Sequence, residues 1–383
     1  MKLTATPVPR PDAGCIWTSF QSSGRRHLIL TGGRGSGKST RLEALAARLS
    51  DRALPGVSTW AQPGQAVWLR DNLTGEQAAV GRFDPGLPGP ENRMRPVEEA
   101  FRTLGAGALA RAAAAAGEWA SVDEVGYLET SCPAYCQALL ALMERKRVLL
   151  AVRKQELPFL QELCRRPDVF CVDLDAPFGR LGCVVMASGV GRRFGGGKLL
   201  AGLWGRPLLQ YALDATGGVF LRRVVVTRDP AAAALCREQG IETILHSQPY
   251  RSDTVRLGLE ALAGPEAPSL AGCLFCPADQ PLLRRETVAS LALCAACAPG
   301  PIWRPAWQGR PGAPVLFPAW AFAELAALPQ GRGGGEVVRR HPERVRCVPV
   351  EDPAELLDID RRQDLERLER LERLEHRNDA RLL

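Results

Sequence analysis

Hydrophobic positions fall into short apolar runs separated by amphipathic stretches, the pattern of strands alternating with helices. HLILTGG (27–33) is a short apolar strand running into glycines, and STRLEALAARL (39–49) continues as an amphipathic helix. Residues 51–95 are rich in Gly, Pro and Trp and show little periodicity. Pro96 to Ala116 carries a helical pattern, and a weaker strand, GEWASV (117–122), leads into Asp123-Glu124-Val125-Gly126. A helix (CQALLALMERK, 136–146), a strong strand (RVLLAVR, 147–153), another helix (PFLQELCRR, 158–166) and a last strand (VFCVDL, 169–174) follow. This alternation argues for an α/β domain with a mostly parallel sheet.

DAPFGRLG (175–182) has the composition of a linker, after which CVVMASG begins a second strand–loop–helix unit. Strands at RRVVVTRD (222–229), IETILHS (241–247) and GCLFCP (272–277), with helices between them, predict a second layered α/β domain. The expected division is a first domain at 1–176, a second at 181–366 and a charged helical tail at 367–383. In that tail leucine recurs every third residue, which drifts off one helical face and makes a poor coiled-coil heptad. A solvated terminal helix is expected ahead of a dimerising one.

Composition narrows the class. With 383 residues the chain is long enough for two ordinary domains. No run reaches the ~18 apolar residues of a membrane span, and the N-terminus lacks an apolar signal core, so no membrane association and cytoplasmic residence are expected. The net charge of +7 suits anionic ligands such as nucleotides, and its even spread gives no reason to expect nucleic acid as a partner. Cys273-x-x-Cys276 and Cys294-x-x-Cys297 have a spacing that zinc sites use. Residues three apart in a strand face opposite ways, however, and the second pair lies in an alanine-rich helical stretch. The cysteines are expected as free thiols.

The first candidate site is Gly32-Gly33-Arg34-Gly35-Ser36-Gly37-Lys38-Ser39, which fits GxxxxGK[ST] in full between a predicted strand and a predicted helix. Its glycines let consecutive N–H groups curl around phosphates, and the helix N-terminus favours the anion. Gly32 through Thr40 is the expected nucleotide-binding segment. Lys38 would reach the β- and γ-phosphates, and Ser39 would ligate Mg²⁺. Asp123, at a strand end, supplies a carboxylate that can hold Mg²⁺ through water, while Glu124 can orient the attacking water. DEVGYLE (123–129) resembles the DEIGxxE signature of the small nucleoside-triphosphatase family first known from thermophiles. The likeness includes VEEAFRTLGAGALARA (97–112) and covers roughly residues 26–175. It implies hydrolysis of a nucleoside triphosphate such as ATP or GTP. Residues 51–95 hold no convincing counterpart of that family's arginine-bearing segment.

The second candidate site is ASGVGRRFGGGK (187–198). With its neighbours, MASGVGRRFGGGKLL resembles the LAAGxGxRFGxxKLL pattern of MobA-like nucleotidyltransferases, the family that includes molybdenum cofactor cytidylyl- and guanylyltransferases. Three further segments agree in order, over about residues 181–366: Tyr250 to Leu259, Cys276 to Leu282, and EDPAELLDIDRRQDLERL (351–368). The resemblance implies a Rossmann-like, three-layer α/β/α domain. Ala187, Ser188, Gly189 and Gly191 would let the backbone approach the nucleotide, with Ser252 beside it. Arg193 and Lys198 would neutralise the triphosphate and the departing pyrophosphate. Asp279 would ligate Mg²⁺. Asp360 reads at least as well as an N-cap for the following helix and is left outside the site.

By resemblance, the expected reaction is attack of a phosphorylated acceptor on the α-phosphate of CTP, placed ahead of GTP, with molybdopterin or the molybdenum cofactor as acceptor. Ala313 stands where the family usually has histidine. That motivates a rival in which the first domain is an NTP-driven switch acting on a molybdenum hydroxylase apo-enzyme and the second mainly binds cofactor. A third possibility is transfer to a sugar or alcohol phosphate.

Overall fold

The computed structural model describes residues 10–87, 93–263 and 269–379. The chain divides into two compact units, one spanning Arg10–Pro177 and the other running from Phe178. Each is an α/β domain built on its own eight-stranded sheet.

In the first unit the strands are β1 (His27–Gly32), β2 (Gly56–Gln62), β3 (Ala66–Asp71), β4 (Gln77–Phe83), β5 (Met94–Pro96), β6 (Trp119–Val125), β7 (Arg147–Arg153) and β8 (Val169–Asp173), in the order β5-β4-β3-β2-β6-β7-β1-β8. The pairs from β2 to β8 along this order are parallel, and β2, β3, β4 and β5 pair antiparallel. β1 and β7 are buried almost throughout, as strands covered on both faces must be. Helices Ala13–Ser23 and Lys38–Ala46 contact each other, as do Ala106–Ala114 and Pro133–Arg145. The predicted helix from Pro96 is Glu98–Ala114, with one π-helical turn at Phe101–Gly105.

The antiparallel extension is the main departure from expectation, because residues 51–95 show little periodicity. In β3, Val67, Leu69 and Asp71 are buried, so one buried position is a carboxylate. Arg111 Nε donates to Asp71 at 2.7 Å and makes that burial tolerable. A register shift at Val67/Trp68 then breaks the two-residue period between β3 and β4.

In the second unit β9 (Leu181–Ala187) is the central parallel strand. A small hairpin, β10 (Gly202–Leu203) and β11 (Arg206–Pro207), follows. The remaining strands are β12 (Arg222–Thr227), β13 (Glu242–Leu245), β14 (Gly272–Pro277), β15 (Ile302–Trp307), β16 (Arg310–Pro311), β17 (Val315–Pro318) and β18 (Val345–Pro349). The order is β13-β12-β9-β14-β17-β15-β16, with β18 parallel to β15. Val184, Val224, Val226, Val255, Phe275 and Phe317 form the centre of its core. The last helix is Arg362–Asp379 and therefore begins inside the segment expected to belong to the second domain; residues 1–9 and 380–383 lie outside the described residues. Among the described residues, no helix is long and apolar enough to cross a membrane.

Gly56 begins the strand that joins the antiparallel extension to the parallel sheet. Its φ is +137°, and a Cβ there would stand 1.9 Å from the Ser121 carbonyl oxygen. Gly56→Ala should therefore lower stability by about 3 kcal/mol, measured as a reduced urea midpoint at unchanged slope.

Candidate active sites

In the first unit β1 ends at Gly32, the loop turns through left-handed backbone at Gly35 and Gly37, and the helix starts at Lys38. The ammonium of Lys38 is folded onto its own loop, donating to the Gly32 and Gly33 carbonyls at 2.9 Å each. Burial, with Arg153 nearby, lowers its pKa from the ordinary lysine value. Ser39 Oγ donates to Asp123 Oδ1 at 3.0 Å, so the hydroxyl and the carboxylate expected to share Mg²⁺ are brought together. Burial raises the Asp123 pKa above the usual carboxylate range, and the Ser39 hydrogen bond offsets part of that. Glu124 follows in left-handed backbone and is bonded by Arg153. Asp175, at the end of the domain, accepts from the Gly33 N–H at 2.8 Å.

A cavity of about 570 Å³ opens over this loop. Its walls are the loop itself, the ends of β6 and β7 (Asp123, Glu124, Arg153), and Val67, Phe83 and Arg93 from the antiparallel extension. The stretch with no legible pattern is thus one wall of the pocket, and Arg93 is an arginine there that sequence reasoning had not found. Arg153 was also missed. The available signal was its place as the last residue of the apolar run RVLLAVR, at the carboxyl end of a parallel strand.

Glu129 closes the same turn from below. It is 3% exposed, and its carboxylate accepts from the Gly126 N–H at 2.7 Å. Burial raises its pKa to about 7.

In the second unit β9 delivers Ala187, Ser188 and Gly189 into the second glycine loop, which turns back through left-handed Gly191, Gly195, Gly196 and Gly197 to reach Lys198. Lys198 is 8% exposed, 2.5 Å from Asp279 Oδ2 and 3.8 Å from Asp360 Oδ1. Arg193, largely exposed, pairs with the other Asp360 oxygen at 2.9 Å. Asp360 thus stands between Lys198 and Arg193. In the first turn of the following helix, Asp364 accepts from the Asp360 and Arg361 N–H groups at 2.9 and 2.7 Å. The placement follows from Ile359, which is buried with Phe194, Leu203 and Leu208 and donates its N–H to the Asp279 carbonyl at 2.9 Å. Burial, with Asp279 nearby, raises the Asp358 pKa.

Ser188 lines the pocket but turns its hydroxyl inward, donating to the Val226 carbonyl at 3.0 Å and meeting His246 Nε2 at 2.8 Å. Arg228 donates to the Ser188 carbonyl at 2.7 Å. The cavity here is about 310 Å³. Ser252 is buried (7% exposed) and does not line it; its neighbours Tyr250, Arg251 and Thr254 do. Arg193 does not line it either, and pairs with Asp360 beside it. Cys273 and Cys276 lie in β14, and Cys294 and Cys297 in helix Arg285–Cys297. All twelve cysteines are free thiols, and among the described residues no group of three or more Cys, His, Asp or Glu is placed to hold a metal.

The two sites define a P-loop nucleoside triphosphatase class of domain followed by a nucleotidyltransferase class of domain. Residues 27–177 match the family model described as NTPase, and residues 183–345 match that of the MobA-like NTP transferase domain; the chain joins one domain of each family. Among solved structures it is similar to Rv0371c from Mycobacterium tuberculosis H37Rv (25% identity, 50% of this chain and 98% of that one, TM-score 0.43). It is also similar to a nucleotidyl transferase from Methanothermobacter thermautotrophicus (19% identity, 50% and 96%, TM-score 0.42). A third similarity is to THEP1 from Aquifex aeolicus (20% identity, 39% and 89%, TM-score 0.33). No curated protein matches the chain.

The Glu129 environment predicts a pH dependence. Its folded pKa is raised from 4.5 to about 7, so stability on the order of 3 kcal/mol is present below pH 4.5 and lost as pH rises through about 7. Glu129→Gln, which keeps an oxygen for Gly126, should abolish this part of the thermal-midpoint profile. Parallel profiles for the parent and variant would contradict it.

Proposed function

We propose that the second domain transfers a nucleotidyl group from CTP to a phosphorylated acceptor, molybdopterin or the molybdenum cofactor, releasing pyrophosphate, and that the first domain hydrolyses a nucleoside triphosphate such as ATP or GTP. The observation that carries the transferase reading is Lys198, held nearly buried between Asp279 and Asp360 at the end of a glycine loop. An acceptor phosphate oxygen forms a bond to the α-phosphorus, and the bond from that phosphorus to the α–β bridging oxygen breaks. Lys198 turns from its carboxylate partners to the triphosphate, and Arg193 assists from the rim. Ser188, Gly189 and Gly191 hold the nucleotide backbone-on, in a cavity that Thr254 and Arg228 also line. In the first domain, residues Gly32 to Thr40 cradle the phosphates, and Glu124 orients water.

Mg²⁺ fits both donor sets. It commonly takes one or two carboxylates and completes its shell with phosphate oxygens and water; Asp279 with Asp360, and Ser39 with Asp123, are such sets. Bound there, the ion would neutralise phosphate charge. CTP is favoured over GTP, and this acceptor over sugar or alcohol phosphates, by the sequence likeness of the KLL, PADQPLL and GRPGAPVLF segments to the cytidylyl subgroup. Ala313 supports a second reading, in which the NTPase domain drives maturation of a molybdenum hydroxylase and the transferase-like domain binds cofactor.

The test is release of pyrophosphate and orthophosphate from Mg-CTP with and without molybdenum cofactor. Cofactor-dependent pyrophosphate should survive Lys38→Ala and fall at least about 100-fold in Asp279→Ala. Orthophosphate alone, lost in Lys38→Ala, would reject the transfer and favour the maturation reading.

A further inference from the structure

Arg153 ends β7, beside the strand that delivers the phosphate loop; the pairing sets it next to Gly32. On the other side of β7, the ladder to β6 is interrupted between Val122 and Val125, and Asp123 and Glu124 bulge out there. Glu124 has a φ of 68°. A non-glycine residue in left-handed backbone is strained, so neighbouring contacts must hold it. Arg153 supplies one, with its Nε donating to Glu124 Oε1. The stem of the same side chain crosses Gly126, where a Cβ would stand 2.8 Å from Arg153 Cδ. The glycine of Asp123-Glu124-Val125-Gly126 is thus the space through which the arginine reaches the acid. Gln155 accepts from the Tyr127 N–H at 3.0 Å and fixes the far side of the turn.

Lys38 lines the same cavity as Arg153. Two cations and the carboxylate expected to orient water therefore line the phosphate end of one cavity. A γ-phosphate entering there carries more negative charge than Glu124 and offers a guanidinium several oxygens at once.

Resting on the NTPase reading, we propose that Arg153 is a catalytic residue and the γ-phosphate sensor of this site, restraining Glu124 until a γ-phosphate draws the guanidinium away. Glu124 is then released to hold the attacking water. The water oxygen bonds to the γ-phosphorus, and the bond to the β–γ bridging oxygen breaks, its electron pair leaving on the nucleoside diphosphate. The water proton passes to Glu124 and then to the freed phosphate, while Arg153 neutralises charge on the γ-oxygens. A diphosphate lacks the group that competes for Arg153, so the Arg153–Glu124 pair persists with product bound.

The experiment uses the full chain and its Arg153→Ala and Arg153→Lys variants. It measures Kd for ADP and for the β,γ-imido analogue of ATP, with the guanosine pair in parallel, alongside orthophosphate release. Arg153→Ala should bind the diphosphate within about twofold of the parent, lose the preference for the triphosphate analogue about tenfold, and lower kcat about 1000-fold. Arg153→Lys should recover part of the preference and little of kcat, because an ammonium lacks the planar fork. Parent-like preference and kcat in Arg153→Ala would overturn the proposal. So would equal loss of di- and triphosphate binding in both variants, the mark of a structural role. Absence of Lys38-dependent phosphate release in the parent would defeat the hydrolysis reading and the catalytic part of the proposal. The binding preference would still decide the sensor.

Discussion

A cation withdrawn from water must have an acceptor, and this requirement shapes both glycine loops. Lys38 meets it with the carbonyls of its own loop, Gly32 and Gly33. Lys198 meets it with Asp279, and with Asp360 at longer range. In each case the lysine is held at its glycine loop by acceptors that an entering anion could replace. The acceptors also tie distant chain segments to the loop: Asp279 follows β14, and Asp360 arrives through a segment anchored by buried Ile359.

Around that requirement the two domains solve different problems with similar strands. Both loops leave the carboxyl end of a parallel strand buried on both faces, where backbone N–H groups run out of partners in the sheet. The first domain then bulges β6 so that an acid pair stands beside the phosphate loop, with an arginine from β7 braced against it. That arrangement suits activation of water. The second domain places a lysine between carboxylates and lines the same cavity with Arg228, Arg251 and Thr254, an arrangement suited to holding a triphosphate while another phosphate attacks it.

Much of this was legible in the chain because it follows local rules. The strand-to-helix context of Gly32 to Ser39, the apolar runs of β1, β7, β9 and β14, and the ordered motifs of the second domain each carry their own periodicity or turn chemistry. The antiparallel extension was not legible, because buried Asp71 depends on Arg111, forty residues away, and a register shift breaks its alternation. Asp360 was read as an N-cap because a carboxylate ahead of a helix satisfies the capping rule, whereas in three dimensions it pairs with Arg193 and stands 3.8 Å from Lys198. Arg153 was hidden for the opposite reason: its one signal, a place at the end of RVLLAVR, is shared by an arginine that merely caps a strand. On helix Arg251–Leu262 the structure brings Arg251 and Thr254, rather than the expected Ser252, into the cavity lining.

The central claim is that one chain carries two independent nucleotide sites, each organised around its own lysine. Equilibrium dialysis of the full chain against saturating non-hydrolysable ATP and CTP analogues, supplied together with Mg²⁺, tests it most directly. Two nucleotides should bind per chain, with one lost in Lys38→Ala and the other in Lys198→Ala. One nucleotide per chain in the parent, or loss of both through either substitution, would contradict the account.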